Sequence, residues 1–454
     1  MVSVFFVMKF FLVGKQAVFC DSQEFILGKA IRTLPFFDVA FDNLRPKRTS
    51  VRRLFHNENR NDNRKSLATD YYYLCIMTLR NKTTTRNNTT FVIRQGQWSP
   101  DPVRMVLQAK TDPNIENLHL MGIAFNEEMI ATLTELFQSR YFSFVYINQC
   151  CAVSLDCRRL ARVLVKQVKD LLVDETVDLL DALLENNFYM RSLTIRLRRQ
   201  GLTDTQCLLL GKRLANSPDL KELSLKGTDI HAPALLAPGI ATSYHLEKLV
   251  LSSSLCASSI RSQQQGLADL VVSLDGQYGI GAVVRLLKSP ASHLKVLDLS
   301  NLHLLDGHAK IITHALTTNS TLEQLNLSFN EIGCSGIDSI AEDLRHIQHL
   351  RKLSLKPNPW VRGQALLDGM KENLSIEYLD SLWLIPQAPM LRYYAIINRG
   401  GRRVLRSPHS ISPGLWPLVL ERAGKVIYGV TNERQAKLNA LYYLLKNGPV
   451  LFQR

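Results

Sequence analysis

Aliphatic residues recur along most of this chain in the pattern L-x-x-L-x-L. Clear copies begin at Leu220, Leu246, Leu294, Leu322 and Leu350, and weaker copies begin at Ile115, Phe142, Met190 and Ile376. The copies at 294, 322 and 350 are spaced by 28 residues. A fixed period of this size predicts a solenoid, in which each unit buries its apolar face against its neighbours.

Each unit is predicted to contain a short strand, a turn and a helix. The three apolar positions of L-x-x-L-x-L fit a strand with one buried face. The segment SGIDSIAEDLRHI, residues 335–347, then carries apolar residues at helical spacing, and GHAKIITHALTTN, residues 307–319, behaves in the same way. Alternation of strand and helix in every unit predicts an α/β solenoid with a parallel sheet.

Two details of the repeat give sharper expectations. Asn330 and Asn358 occupy the ninth position of their units, where an inward amide can bond the backbone of neighbouring turns. The intervals from 142 to 190 and from 246 to 294 are each 48 residues, which we interpret as one unit plus about twenty inserted residues. The second insertion contains SSIRSQQQGLADLVVSLDGQYGIG and is expected to loop from the convex or edge side.

The segment LEQLNLSFNEIGCSGIDSIAEDLRHIQHLRKLSLKPNPW, residues 322–360, resembles the leucine-rich repeats of the ribonuclease-inhibitor type. The resemblance extends over roughly residues 115–382. It implies a horseshoe with a parallel sheet lining its concave face and helices on its convex face. Members of this class mostly bind proteins, so the resemblance also implies a protein partner.

The segments around the repeats differ in composition. Residues 1–43 begin with a hydrophobic stretch, Met1 to Cys20, which could be a secretory signal, a buried strand or an error in the gene start. Residues 44–66 are polar and basic and are predicted to be a disordered linker. Residues 67–114 contain YYYLCIMTL and TTFVIRQG around a polar run, which predicts a hairpin or a small N-terminal cap.

The C-terminal segment, residues 383–454, is predicted to be a helical tail. LWPLVLER, residues 415–422, and ALYYLLKNGP, residues 440–449, fit two helices, with Pro417 in a first turn and Gly448 and Pro449 at a helix stop. The tail resembles a segment that follows repeat arrays in microalgal proteins. Covering the end of the solenoid is its simplest role.

The net charge of +15 belongs to the two flanks. Residues 44–66 carry eight Lys or Arg against two acids, residues 390–454 carry eleven against two, and residues 111–389 carry 26 against 30. Binding of nucleic acid would therefore fall to the flanks, with RPKRTSVRR, residues 45–53, as the candidate contact or nuclear-import signal. The hydrophobic stretch from Met1 to Cys20 is too short between its charged residues to span a membrane, so no transmembrane segment is predicted.

Signatures of catalysis and of metal binding are lacking. The sequence contains no phosphate-binding loop, no H-E-x-x-H and no G-x-S-x-G motif. GQYGIG, residues 276–281, is interpreted as a loop, and Cys150, Cys151 and Cys157 as cysteines buried in the core. His303, His308 and His314 are expected in turns and on helix surfaces. We therefore predict no cofactor, no metal and no enzymatic activity, although an enzyme formed by the insertion at 252–293 is an alternative.

The concave face is the main candidate for function, because residues between the buried leucines point to its surface. The predicted partner-binding residues are Glu222, Ser224, Lys248, Val250, Ser253, Val296, Asp298, Asn301, Gln324, Asn326, Phe329, Lys352 and Ser354. Together with the lack of catalytic signatures, this face predicts a scaffold that binds a protein. We expect the protein to be a monomer in the cytoplasm or the nucleus. The alternative is a substrate-recognition adaptor of a ubiquitin ligase, with the tail recruiting the ligase core.

Overall fold

A computed structural model describes one part of the chain in detail. The described residues are 89–94, 101–152, 157–197, 200–228, 230, 232–252, 281–356, 358, 363–380, 386–405, 415–424, 438, 439, 441, 442 and 444. The hydrophobic segment 1–43, the basic linker 44–66 and the loop GQYGIG lie outside the described residues, apart from Gly281. The predictions made for those segments therefore stay predictions.

The main sheet contains eleven strands, and all of its neighbouring strands run in parallel. Its strands are β1 (Thr89–Arg94), β2 (Ile115–Met121), β4 (Phe142–Asn148), β6 (Val168–Asp174), β7 (Ser192–Arg196), β8 (Glu222–Lys226), β9 (Lys248–Ser252), β10 (Val296–Asp298), β11 (Gln324–Asn326), β12 (Lys352–Ser354) and β13 (Tyr378–Asp380). Two short strands, β3 (Ala124–Phe125) and β5 (Cys151–Ala152), pair separately. The strands follow chain order, as stacking of successive units requires.

Helices alternate with the strands and pack against one another in chain order. They are α1 (Pro102–Thr111), α2 (Glu127–Ser139), α3 (Cys157–Gln167), α4 (Val177–Leu184), α5 (Asp204–Ala215), α6 (Pro233–Thr242), α7 (Ala282–Lys288), α8 (Asp306–Thr318), α9 (Cys334–Asp343), α10 (Gly363–Glu372), α11 (Ala388–Arg399), α12 (Arg402–Leu405) and α13 (Trp416–Gly424). The apolar sides of α1 to α11 and one face of the sheet form a single continuous core. The C-terminal end of α11 packs with α13 in a separate cluster that contains Ile396, Ile397, Ala423 and Leu444.

The middle aliphatic residue of each unit is aligned across the sheet. Paired in register are Leu118, Val145, Leu171, Leu193, Leu223, Leu249, Leu297, Leu325, Leu353 and Leu379. All of them are buried. Burial of this row removes from water the side chains that no single unit could cover, which is the main stabilising term of the fold. The predicted leucine-rich-repeat solenoid is therefore confirmed.

The first long interval between repeats was interpreted wrongly. Residues 142–190 hold no long insertion, because β6 and α4 form a further unit between β4 and β7. The second interval differs. There β9 pairs directly with β10, so no strand of this sheet lies between them. Residues 253–280, which include most of the predicted insertion, lie outside the described residues.

The segment before Ile115 also differs from expectation. Thr89–Arg94 pairs in parallel with β2, and α1 follows it, so this segment is a strand–helix unit of the solenoid. This unit fits the alternative of a small N-terminal cap, whereas the hairpin stays a prediction. The other predicted strand, YYYLCIMTL, lies outside the described residues. Asp101 begins α1 by accepting a hydrogen bond from the Val103 amide, with a distance of 3.1 Å.

The ninth position of the repeat forms an internal ladder of polar side chains. Asn330 Oδ1 accepts hydrogen bonds from the amides of Leu302 and Leu304, and Nδ2 donates to the carbonyls of Leu299 and Leu327. Asn358 repeats this pattern in the next unit. Both asparagine predictions are confirmed. The bonds satisfy backbone groups in the turns that leave the strands, where no ladder partner is available.

Other residues take the ninth position in earlier units. Thr228 Oγ1 accepts from the Leu197 amide and donates to the Ile195 carbonyl. Thr176 Oγ1 accepts from the Cys150 amide, and Cys150 Sγ contacts the carbonyls of Leu120 and Asn148. In the earlier units, the ninth residue thus forms fewer hydrogen bonds with the backbone groups of this turn.

The described part of the tail is helical, as predicted. Trp416–Gly424 forms α13, with Pro417 in its first turn, which confirms the helix expected at 415–422. Arg399 ties this helix to α11 by donating to the carbonyls of Arg422 and Ala423. Residues 441, 442 and 444 of the second predicted helix are helical, and its remaining residues lie outside the described part. Resemblance to microalgal tails stays a prediction.

Candidate binding surface on the open face of the sheet

One face of the main sheet is not part of the continuous core, and we call it the open face. Strand register arranges its side chains in two rows that cross the whole sheet and a third, shorter row, which contains Arg94, Met121, Asn148, Asp174 and Arg196. The central row contains Val92, His119, Tyr146, Leu172, Thr194, Ser224, Val250, Asp298, Asn326, Ser354 and Asp380. The first row contains Thr90, Asn117, Phe144, Asp170, Ser192, Glu222, Lys248, Val296, Gln324, Lys352 and Tyr378. Both rows cross the whole sheet because every pairing is parallel and in register.

The structure brings most of the predicted partner-binding residues into these two rows. Ten lie there: Glu222, Ser224, Lys248, Val250, Val296, Asp298, Gln324, Asn326, Lys352 and Ser354. Val250 is buried, so its side chain offers little surface. Asn301 and Phe329 follow β10 and β11 in the turns beyond the strands, and Ser253 lies outside the described residues. Binding by these residues remains a prediction.

An aromatic group at the N-terminal end of the open face was missed by the sequence analysis. The His119 ring meets the rings of Phe144 and Tyr146 edge to face, with centroids 5.8 Å and 5.5 Å apart. Leu172 and Val92 continue the same row on either side. The signal was present, because these residues alternate with the buried positions of the weaker repeats at Ile115 and Phe142.

Hydrogen bonding and burial hold this aromatic group in place. The Tyr146 hydroxyl donates to Asp174 Oδ2 over 3.2 Å, and Arg196 lies 4.0 Å from the same carboxylate oxygen. Asp174 is only 5% exposed, so these two groups compensate a charge that is almost removed from water. Burial also lowers the pKa of His119 below its usual value of 6.5, because the cationic form loses hydration.

A bridged carboxylate lies in the middle of the open face. Glu222 Oε2 is 3.1 Å from Lys248 Nζ, and Glu222 Oε1 is 3.8 Å from Arg191 Nη2. Asp170 lies in the same row two strands earlier. Partial burial raises the pKa of Asp170, and Glu222 raises it further, while Lys169, Arg191 and Lys248 act in the opposite direction. The acids here already have cationic neighbours within the chain.

The C-terminal end of the open face is also polar, but its acids lack such cationic neighbours among the described residues. Asp298 Oδ1 accepts from Asn326 Nδ2 over 2.9 Å and from the Ser300 amide over 3.0 Å. Within the described residues, neither Asp298 nor Asp380 has a cationic group within 4.0 Å. Both carboxylates therefore remain available to a ligand.

The turn after each strand places one residue in the left-handed backbone region. At the eighth position of the units this conformation is adopted by Gly122, Gln149, Glu175, Gly227, Asn301 and Phe329. Phe329 has φ 60° and is 49% exposed. Glycine and asparagine accept this region readily, whereas a bulky side chain is strained there. Phe329 is the one apolar side chain with positive φ among the described non-glycine residues.

The side chains considered for metal chemistry are scattered or buried. Cys150 and Cys157 are buried as predicted, but Cys151 is exposed, so that prediction was wrong. Burial raises the pKa of the Cys150 thiol to about 12. His308 is buried, contrary to its expected surface position, and accepts a hydrogen bond from the Leu305 amide at the start of α8.

Two wider searches of the described residues gave no candidates. No group of three or more His, Cys, Asp or Glu side chains there could hold a metal ion. Among the helices formed by those residues, none combines the length and the apolar character that crossing a bilayer requires.

Comparison with known proteins finds relatives with repeat arrays. The chain is 25% identical over 257 residues to NACHT, LRR and PYD domains-containing protein 5 of Bos taurus, covering 51% of this chain and 23% of that protein. It is 29% identical over 193 residues to the human protein 12 of the same name series, covering 40% and 18%. The chain thus spans less than a quarter of the length of these relatives. No family model matches the sequence.

Solved structures with a related architecture have low overall similarity. An internalin from Listeria monocytogenes matches 68% of this chain and 93% of its own, with 16% identity and a TM-score of 0.28. A Bacteroides fragilis protein matches 72% and 86%, with 13% identity and a TM-score of 0.36. Actin-binding site 2 of leiomodin-1 matches 46% and 97%, with 17% identity and a TM-score of 0.27. At these scores, the fold assignment rests on the register of the sheet.

Proposed function

We propose that this leucine-rich-repeat protein is a non-catalytic scaffold that binds a protein partner on the open face. The observation that carries the proposal is the pair of side-chain rows that crosses eleven strands in register. Such a face offers a long series of hydrogen-bonding groups beside apolar anchors, which is the composition of protein interfaces. The partially matched relatives, whose names include leucine-rich repeats, support the same reading.

A pulldown with matched variants tests the proposal. The tagged chain is recovered from its native cells, and bound proteins are quantified by mass spectrometry. The double variant Asp298→Lys with Asn326→Lys places two cations in the central row and is expected to reduce specific partners by about tenfold or more. The control, Asp338→Lys with Gln348→Lys, adds the same charge at two exposed positions of the neighbouring repeat, outside the open face.

Thermal melting of both variants separates binding from folding. We expect both to melt near the wild type, because each substitution replaces an exposed or half-exposed side chain. An unchanged set of partners for a folded open-face variant would rule out this part of the face as the binding site. Equal loss in both variants would indicate a general effect of charge and would also contradict the proposal.

Three further properties belong to the same proposal and rest on the sequence. They are a monomeric state, a cytoplasmic or nuclear location, and a domain order in which a linker at residues 44–66 is followed by a cap at 67–114, the repeats at 115–382 and the tail. Light scattering of the purified chain and imaging of a fluorescent fusion test the first two. The basic flanks remain candidates for a weak contact with nucleic acid. No feature of the described tail favours the ubiquitin-ligase adaptor, and we do not propose it.

A further inference from the structure

We propose that the open face between β10 and β13 recognises a basic protein segment. In this proposal Asp298 and Asp380 bind its Lys or Arg side chains, and Phe329 supplies the apolar contact. The inference deepens the proposed function and rests on it, because it names the chemistry of the partner at that surface. Three independent features of the described residues support it.

The first feature is the contrast between paired and unpaired carboxylates. Elsewhere on the sheet, acids have cations from their own chain: Glu222 has Lys248 at 3.1 Å, and Asp174 has Arg196 at 4.0 Å. Asp298 uses Oδ1 for Asn326 and the Ser300 amide, while Oδ2 has no hydrogen-bond partner among the described residues. A partner that buries this oxygen must supply a donor, and a cationic donor forms the strongest such bond.

The second feature is the spacing of these carboxylates. Asp298 and Asp380 lie in the central row three strands apart, with the half-exposed Asn326 and Ser354 between them. Neighbouring strands are about 4.8 Å apart, so the two carboxylates are separated by roughly 14 Å. An extended peptide advances about 3.4 Å per residue, so roughly four residues span this distance. Basic side chains about four positions apart lie on the same side of such a peptide and reach both acids.

The charge around the two carboxylates favours the same partner. Glu331 is exposed beyond β11 and adds a third acid, although His303 Nδ1 contacts its Oε1 at 2.6 Å. Lys352 is the one cation in the two open-face rows of β10 to β13. The half-exposed Lys356 follows β12 on the same face, so three acids stand against two lysines, and this excess of negative charge disfavours an acidic segment or a nucleic acid.

The third feature is the strain at Phe329. The preceding unit has Asn301 at this position and an earlier unit has Gly227, and both residues tolerate a positive φ, whereas Phe329 holds a large ring there at φ 60°. Burial compensates only part of that cost, because half of the side chain is in solvent. A strained residue with an exposed aromatic side chain is typical of a binding anchor, since its benefit is gained only with the partner.

Selection from a random peptide library tests the chemistry of the partner. The full chain is immobilised, and displayed peptides of about twelve residues are selected, sequenced and synthesised. We expect enrichment of two Lys or Arg residues about four positions apart beside an apolar residue. Affinity measured by fluorescence polarisation should fall as salt rises. Selection of acidic or uncharged peptides, or of no peptide, would overturn the inference.

Single substitutions then locate the peptide. Asp298→Asn and Asp380→Asn are each expected to weaken binding by about tenfold, because each removes a charge-assisted bond. Asp338→Asn is the matched control, since Asp338 is exposed on α9 away from the sheet. Binding that ignores both open-face changes, or that falls equally with the control, would overturn the inference.

Phe329 adds a readout that does not depend on any ligand. Phe329→Asn should weaken the selected peptides by about tenfold and raise the melting temperature by about 2 °C, because asparagine relieves the backbone strain. Phe329→Tyr keeps both the strain and the ring and should bind as the wild type does. A lower melting temperature for Phe329→Asn, or unchanged affinity, would contradict the role of Phe329 as an anchor.

The two proposals can fail separately. If Asp298→Lys with Asn326→Lys removes the native partners but the selected peptides lack paired basic residues, the open face still binds proteins and only the inferred chemistry is wrong. If the native partners also ignore that double variant, the proposed function itself fails.

Discussion

Asp174 and Asp298 lie on the same face of the same sheet, but the chain treats them differently. Asp174, in the repeats before residue 253, is buried and receives the Tyr146 hydroxyl and Arg196. Asp298, in the repeats after residue 280, is half exposed and has no cationic neighbour among the described residues. The earlier repeats use their open-face polar groups for their own stability, whereas the later repeats leave them to solvent or to a partner.

Inside the solenoid, the later repeats have more side-chain hydrogen bonds than the earlier repeats. In the later repeats, Asn330 joins four backbone groups of two successive turns. In the earlier repeats, Thr228 joins only the amide of Leu197 and the carbonyl of Ile195. The later units thus gain more from the ladder inside the solenoid and less from the open face. Surface residues that folding does not require can serve binding instead.

The largest effect is expected for Asn330→Ala. The change leaves buried amides and carbonyls without partners, so we expect the free energy of unfolding to fall by about 3 kcal/mol or more. Thr228→Val keeps the shape of the side chain and removes fewer bonds, so we expect a loss of about 1 kcal/mol. Urea denaturation followed by circular dichroism measures both. Equal losses would show that the interior hydrogen bonds do not stabilise the later repeats more than the earlier ones.

A smaller effect is expected for Tyr146→Phe. Without the hydroxyl, the buried Asp174 carboxylate loses one of its hydrogen-bond donors, and we expect a loss of about 1–2 kcal/mol. Tyr189→Phe serves as the control, because Tyr189 is 56% exposed and should change stability very little. If both variants unfold at the same urea concentration, the earlier open face does not depend on this hydrogen bond.

The third prediction concerns pH. Burial favours the neutral form of His119 and lowers its pKa below 6.5, so its contribution is fully present above pH 6.5. That contribution is lost as the pH falls below 6.5 towards the lowered pKa of the folded state. We therefore expect the melting temperature of the wild type to fall more between about pH 7.5 and pH 5.5 than that of His119→Phe.

Other buried histidines contribute equally to the pH dependence of the wild type and of His119→Phe. His245 and His349 also have lowered pKa values because of burial, and they remain in the variant. The difference between the two melting curves therefore isolates His119. Parallel curves across this pH range would show that His119 carries no such penalty.

The smallest effect is expected for Glu222→Gln. An ion pair that is partly exposed to solvent contributes little, so stability should change by less than about 1 kcal/mol. The pKa of Asp170 should fall, because the Glu222 charge raises it in the wild type. Carboxyl NMR titration measures this shift directly. An unchanged Asp170 pKa would mean that the two acids do not interact across the sheet.

Sequence reasoning was strongest where the repeat is regular. The 28-residue spacing and the ninth-position asparagines of the later units correctly predicted the register and the Asn330 bonds. The unit at Val168 was missed because Val168 and Val173 replace leucines and the next unit begins after 22 residues. The parallel pairing of β1 with β2 was not foreseen, because alternation is the same in parallel and antiparallel strands.

The candidate site was predictable only in part. Alternation along each strand identifies which residues share the open face, and it placed Asp298, Asn326 and Ser354 correctly in one row. The pairing of Glu222 with Lys248, and the lack of a cationic neighbour at Asp298 within the described residues, depend on register between strands and on side-chain rotamers. A single sequence does not specify either, so the charge balance of the surface had to come from the structure.

Direct pairing of β9 with β10 has a practical consequence for engineering. The 28 residues between Ser252 and Gly281 are accommodated without interrupting the hydrogen-bonded ladder, since Lys248 pairs with Val296. The entropic cost of connecting two fixed ends rises only slowly with the number of residues between them, so further sequence at this joint should cost about 1 kcal/mol or less. A fluorescent domain inserted there would report on the protein in cells while leaving both side-chain rows intact.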